Sequence, residues 1–198
     1  MKKSTLMLAC VGIFISAQSQ AAGVDYANKV GVRLKAGPMP FASVSPDTAK
    51  VVDSIDKGDV SGVISNALNA SVGLSLPIEL SLTYGITNAL EINAAFALSP
   101  TLAQWVGDKV GLQYAAAIGL RYFVNLSEPV KGYVAPAVYL GIPTLLVQPS
   151  MDMGLQWDVS EMVGLFAETS FKPIGITPTS PIGFTMALAV NIGLHVHF

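Results

Sequence analysis

The chain has 198 residues, 52% of them apolar and only 12% charged, with a mean hydropathy of +0.55, which is too apolar for an ordinary soluble domain. A membrane helix needs about 18 or more consecutive apolar residues. Beyond the N-terminal region every apolar stretch is cut by Ser, Thr, Asn, Glu, Lys or Pro, so helical spanning is excluded there and a closed β-barrel is left as the way to satisfy the backbone in lipid. A formal charge of −2 without a Lys/Arg cluster gives no footing for nucleic acid.

At the N-terminus, Lys2 and Lys3 precede an apolar run from Leu6 to Ile15 and a small-x-small site at Ser19-Gln20-Ala21, the pattern of a secretory signal peptide. The expected division is a signal peptide over 1–21, with a cut after Ala22 as the alternative, and one barrel domain over 22–198. Cys10, the single cysteine, leaves with the signal, so no disulfide or Cys-based metal site is expected. A lipid anchor at Cys10 is the competing reading. The apolar run continuing past Cys10 speaks against it.

The rest of the chain reads as eight strands with side chains alternating between two faces. The first runs through Lys29 to Ala36, with Lys29, Arg33 and Lys35 inward and Val30, Val32 and Leu34 outward. The second runs unbroken from Val72 to Gly85, with Glu79 and Pro77 inward, and the third from Leu90 to Leu98 with Glu91 and Asn93 inward. The fourth, Leu112 to Tyr122, turns Arg121 inward. The fifth, Gly132 to Ile142, contains Pro136 and has either Val134/Val138/Leu140 or Tyr133/Tyr139 as its lipid face. The sixth, Met151 to Val159, turns Asp152 and Asp158 inward; the seventh, Val163 to Lys172, turns Glu168 and Lys172 inward, with Phe166 a misfit on that face. The eighth, Gly183 to Phe198, alternates without error. Connections are short or modest after the second, fourth and sixth strands (86–88, 124–131, 160–162). They are mostly longer after the others (38–71, 99–109, 143–149, 173–181), which places both termini in the periplasm.

The last eight residues, Asn191 to Phe198, resemble the C-terminal assembly signal of outer-membrane barrels, with Asn191, Gly193, Val196 and Phe198 at its marker positions. The phrase Leu82-Thr83-Tyr84-Gly85-Ile86-Thr87-Asn88-Ala89-Leu90-Glu91 is similar to a strand-turn-strand unit of such barrels. The chain thus resembles the small eight-stranded outer-membrane proteins of the OmpA-barrel, OmpX and OmpW kind. The resemblance implies an all-β, antiparallel up-and-down transmembrane barrel in the outer membrane of a Gram-negative bacterium. It also implies contact with outer-membrane lipids including lipopolysaccharide, and assembly through periplasmic chaperones and the barrel-assembly machinery.

An eight-stranded barrel is just wide enough for side chains to fill, and buried charges need partners. Arg33, Glu79, Glu91, Arg121, Asp158 and Glu168 are therefore expected to form an ion-paired interior network, with Arg121 facing Glu79 or Glu91. Small residues toward the loop end, such as Gly73, Ser75, Ala95 and Ala97, suggest a cup above it. Pro77 and Pro136 interrupt strand ladders and are expected as bulges or as a lateral seam. His195 and His197 belong to the assembly segment, so a structural use is expected, with no catalytic residue, metal or cofactor assigned. In the long connection, Ser45-Pro46-Asp47 suggests an N-cap followed by Pro at the first helical position, opening a short helix with Val51, Val52 and Ile55 on one face. Two functions follow: a plugged barrel serving the envelope structurally or through its surface loops, or a narrow port or binding cup for a small hydrophobic or amphipathic ligand released sideways into the membrane.

Overall fold

The computed structural model describes residues 26–44, 46–67, 69–106, 111–127, 129–142, 145–177 and 183–198. The expected signal peptide and Cys10 lie outside these residues, as do Ser45 and other parts of five of the expected connections.

Alternation of apolar and polar side chains produces eleven strands: β1 (Val30–Ala36), β2 (Met39–Val44), β3 (Ala70–Ser75), β4 (Ile78–Thr87), β5 (Leu90–Ser99), β6 (Thr101–Val106), β7 (Gln113–Ser127), β8 (Val130–Ile142), β9 (Val147–Asp158), β10 (Val163–Thr177) and β11 (Gly183–His197). All pair antiparallel in one sheet, and β1 pairs with β11 to close it. The eleven make eight staves. Three staves are each two strands in line: β1 with β2, β3 with β4, and β5 with β6. β2 takes over from β1 against the upper part of β11, pairing with Phe184 to Ala187, and β3 lies between β2 and β6.

The breaks fall at Gly37-Pro38, Leu76-Pro77 and Pro100. Proline has no N–H to give to a ladder, and the chain uses the remaining groups across the break: Val190 N donates to Pro38 O (3.2 Å), Gly37 N to Pro77 O (3.4 Å) and Leu76 N to Pro100 O (3.0 Å). The unbroken second strand of the sequence reading is thus two strands. It reads as one because the facing survives the break, with Ser75 and Glu79 inward and Ile78 outward. Other boundaries move outward: β7 runs to Ser127 and β8 starts at Val130 within the expected connection 124–131, β9 begins at Val147 within the expected connection 143–149, and β10 runs past Pro173 over a bulge between Lys172 and Gly175.

The long connection is built structure. Besides β2 and the start of β3, it forms two helices, α1 (Thr48–Asp56) and α2 (Val60–Ala67). Asp47 is the N-cap, its carboxylate accepting from Lys50 N at 3.1 Å, so the cap lies beyond Pro46. The helices pack on each other: Asn66 Nδ2 donates to the buried Ser54 Oγ at 3.2 Å, while Asp47 N donates to Asn66 O at 3.0 Å. Val52, Ile55, Val60 and Ile64 stay exposed. Among the described residues no helix is long and apolar enough to cross a membrane.

The apolar side chains lie mainly outside the barrel and the polar ones inside, as a lipid-spanning barrel requires. Leu34, Leu80, Leu82, Ile118, Leu155, Leu188, Val190 and Ile192 are exposed outward, whereas Arg33, Glu91, Arg121, Glu168, Asn191 and His195 are buried. β8 resolves its ambiguity with Tyr133, Ala135 and Tyr139 inward and Val138 and Leu140 outward.

Candidate functional site: the barrel interior

The interior is stacked in layers whose members come from strands far apart in sequence. At the end where Tyr26 and Phe198 lie, Asn28 adopts φ +63°, a left-handed conformation that Asn tolerates better than most residues. Tyr26 lies fully buried beneath the barrel. Its ring stacks on Phe123 at 5.0 Å and lies tilted against His197 at 4.5 Å. Its hydroxyl donates to Asp158 at 2.7 Å, and that carboxylate also meets Lys131 Nζ at 2.9 Å. Neither Tyr26 nor Lys131 was among the residues expected to build the network. Tyr26 precedes the first strand, and Lys131 sits in a segment that reads as a turn.

In the same layer, Glu91 on β5 accepts from Arg121 on β7 at 2.8 Å, both fully buried. Gln156 donates through Nε2 to Asp158 Oδ1 and to Tyr26 Oη, both at 2.8 Å, and its Oε1 faces His195 Nδ1 at 3.3 Å. His195 Nε2 lies 3.0 Å from Thr83 Oγ1 and 3.9 Å from Glu91 Oε1, and His197 Nδ1 lies 4.0 Å from the same carboxylate oxygen.

The middle layer is held by Arg33 on β1. Its guanidinium lies over the Phe166 ring at 3.7 Å and donates to Tyr133 Oη (3.2 Å) and Glu168 Oε2 (3.4 Å); Tyr133 also donates to Glu168 at 2.7 Å. Phe166 is therefore an inward residue by design of this layer, a platform for a cation. It also fills the space left by Gly193, where any side chain would run into the Phe166 ring and the backbone of Leu34.

In the upper layer Lys35 touches three carboxylates, Glu168 at 2.6 Å, Asp152 at 3.1 Å and Glu79 at 3.3 Å. Glu79 also accepts from Tyr139 Oη (2.7 Å) and Ser81 Oγ (3.1 Å), and Lys172 Nζ lies 3.9 Å over the Tyr139 ring. Arg121 thus pairs with Glu91, while Glu79 serves Lys35. Two small voids lie near this layer. One of about 50 Å³ is bordered by Met39, Tyr139, Gln148 and Lys172; one of about 10 Å³ lies among Lys35, Glu79, Tyr139 and Asn191. The second is at the lower limit for a single water.

Of the two proline positions singled out from sequence, Pro77 lies at the break between β3 and β4, beside Gly37 and Pro100. Pro136 lies within β8 between β7 and β9, with the register kept on both sides, so the two prolines share no inter-strand boundary. The marker residues of the assembly segment divide by face: Asn191 is buried and donates to Ser170 Oγ (3.1 Å) and Glu168 Oε1 (3.3 Å), Val196 is half-buried, and Phe198 is exposed while its N–H donates to Val30 O (2.8 Å).

No protein-family model matches the chain, and no curated protein matches it in sequence. Among solved structures it is similar to Neisserial surface protein A (13% identity, 84% of this chain and 97% of that chain, TM-score 0.57). It is also similar to a designed transmembrane β-barrel (12% identity, 87% and 97%, TM-score 0.50). A looser likeness is to the N-terminal β-barrel domain of Pseudomonas aeruginosa OprF (10% identity, 85% and 97%, TM-score 0.45).

Proposed function

With the fold of the small eight-stranded outer-membrane barrels as premise, we propose that this protein is an integral outer-membrane barrel closed by its own interior, serving the cell envelope structurally and presenting its loop-end segments at the surface. The carrying observation is Lys35 held by Glu168, Asp152 and Glu79 above the Arg33–Tyr133–Phe166 layer. An ion crossing the barrel has to separate buried pairs, and leaving a buried charge without its partner costs roughly 3–5 kcal/mol. The self-contained α1–α2 hairpin, with apolar side chains exposed, supports a role for the loop end. Both termini then face the periplasm, and the partners are lipopolysaccharide and other outer-membrane lipids, with chaperones and the assembly machinery acting during insertion. No catalysis, resident cofactor or nucleic acid enters this role.

Planar-bilayer recording of the purified protein tests it. The expected result is no channel current in wild type; discrete, reproducible conductance that changes with Glu79→Gln would replace this reading with a port.

A second reading has its own observation, the three stave breaks lying side by side at Pro38, Pro77 and Pro100. A small hydrophobic molecule entering the upper void near Met39 would leave sideways through that line into lipid. Uptake of a radiolabelled aromatic hydrocarbon by cells with and without the protein tests this reading. Uptake that depends on the protein and falls in a Pro77→Ile variant of equal abundance would establish it; uptake equal in both strains would remove it.

A further inference from the structure

We propose that Glu91, His195 and His197 form a binding site for one divalent transition-metal ion of the Zn²⁺ class, inside the barrel at the end where Tyr26 and Phe198 lie. The inference is independent of whether the barrel conducts. One candidate ligand atom from each residue lies within 4.8 Å of the others, and all three residues are buried. The edges from Glu91 Oε1 to His195 Nε2 and His197 Nδ1 are 3.9 and 4.0 Å. Ligands of a tetrahedral ion bound at about 2.1 Å stand roughly 3.4 Å apart. Those two edges therefore need to close by about half an ångström, and the edge between the histidines, within 4.8 Å, by no more than about 1.4 Å.

Hydrogen bonding sets the chemistry of His195. Asp158 accepts only, so the Gln156 atom facing it is the NH₂ group, which leaves Gln156 Oε1 facing His195 Nδ1 at 3.3 Å. Nδ1 must then carry the proton, and Nε2 presents its lone pair toward Thr83 Oγ1 and Glu91 Oε1. This is the support a metal-bound imidazole needs, its second nitrogen donating to a fixed acceptor. Arg121 holds the other oxygen of Glu91, Oε2, at 2.8 Å, leaving Oε1 as the one turned to the histidines.

Two neighbouring features shape the site. With an ion on Nδ1, the proton of His197 sits on Nε2, which is buried without a hydrogen-bond partner, so His197 has no second-nitrogen support of the kind Gln156 gives His195. Gly31, on β1 between β4 and β11, lets the site pack against the wall: a Cβ there would stand 2.5 Å from Thr83 Oγ1 and 2.7 Å from His195 Nε2, so any side chain would displace His195. Two imidazoles and one carboxylate are a donor set suited to Zn²⁺ and Co²⁺. An ion held here ties β5 to β11, next to the β1–β11 closure.

The test uses the full chain without a histidine tag, folded in detergent and stripped with EDTA. Zn²⁺ or Co²⁺ is added to the folded protein and, in parallel, during refolding from urea, because Tyr26 covers the site. By at least one route we expect one equivalent bound per chain, a visible Co²⁺ spectrum that Zn²⁺ abolishes, and a higher unfolding temperature with Zn²⁺. Gln156→Leu should weaken binding about 10–100-fold, and Glu91→Gln and His197→Gln should weaken it further. Gly31→Ala should also weaken it. Glu91 lies outside the terminal assembly segment, so Glu91→Gln decides the matter even where His197→Gln does not fold. Absence of stoichiometric binding by both routes, or affinity unchanged in Glu91→Gln, would overturn the site.

Discussion

The exchange of one buried partner separates the two pairings that sequence leaves open for Arg121. Arg121→Ala strands Glu91, and breaking a buried pair costs roughly 3–5 kcal/mol. Adding Glu91→Gln should restore part of that loss, whereas adding Glu79→Gln should cost more, since Glu79 belongs to Lys35 and Tyr139. Urea unfolding in detergent with EDTA present reads the three variants, and equal rescue by both glutamines would refute the assignment. Phe166→Ala removes the platform under Arg33 and opens a cavity beside Gly193; a loss of about 3–5 kcal/mol is expected by the same method. Why Phe166 looked out of place is physical. Period-2 reading equates inward with polar, but a guanidinium is also served by an aromatic face, and Tyr133 and Tyr139 likewise bring hydroxyls to buried carboxylates. The inward direction of Arg33, Glu79, Glu91, Arg121, Asp158 and Glu168 was legible from strand phase. Their partners were not, because contacts across the barrel join residues with no sequence relation, such as Tyr26 and Asp158.

At the scale of single elements, α1 offers a pH experiment away from the membrane. The Lys50 backbone N–H and ammonium hold the Asp47 carboxyl below its usual range. A depressed folded-state value means that the cap contributes above the unfolded carboxyl pKa, about 3.9, and is lost as pH falls through the lower, folded value. The Lys50 amide resonance and its exchange protection should therefore hold at neutral pH and collapse only below about pH 4. A midpoint at or above that value would contradict the cap. The last strand gives another test. Phe198 N–H bonds Val30 O across the closure while its ring projects outward. Deleting Phe198 should slow the appearance of heat-modifiable protein in a pulse-chase, and unchanged kinetics would deny it an assembly role. The staves themselves were legible because lipid demands an apolar outer face at every second residue. Their breaks were not, since Pro38 and Pro100 fall in segments that read as loops and only the neighbouring strands reveal that they lie level with Pro77.

For the molecule as a whole, the inverted arrangement of apolar surface and polar interior predicts β-rich far-UV circular dichroism in detergent. It also predicts different gel mobilities for unheated and boiled samples; a helical spectrum or identical mobilities would contradict a stable barrel. Fold class was legible because composition and period-2 alternation leave few alternatives in an apolar medium. The candidate metal cluster was not, because its third member, Glu91, is brought to His195 and His197 only by closure of the sheet. On the outer face a shallow apolar groove of about 860 Å³ lies over β1, β9, β10 and β11, lined by Leu34, Leu155, Trp157 and Ile192.

Closure between β1 and β11 has a kinetic consequence. Gly31 pairs with His197, and the interior bonds Tyr26–Asp158, Lys35–Glu168 and Arg33–Glu168 join residues 132, 133 and 135 positions apart. Such high contact order makes folding slow, since loop-closure entropy is lost before the pairing can repay it. Until β11 arrives, β1 has one unpaired edge, and β10, which carries Glu168, has no strand linking it to β1 and Lys35. The barrel is therefore complete only once its first and last strands have met.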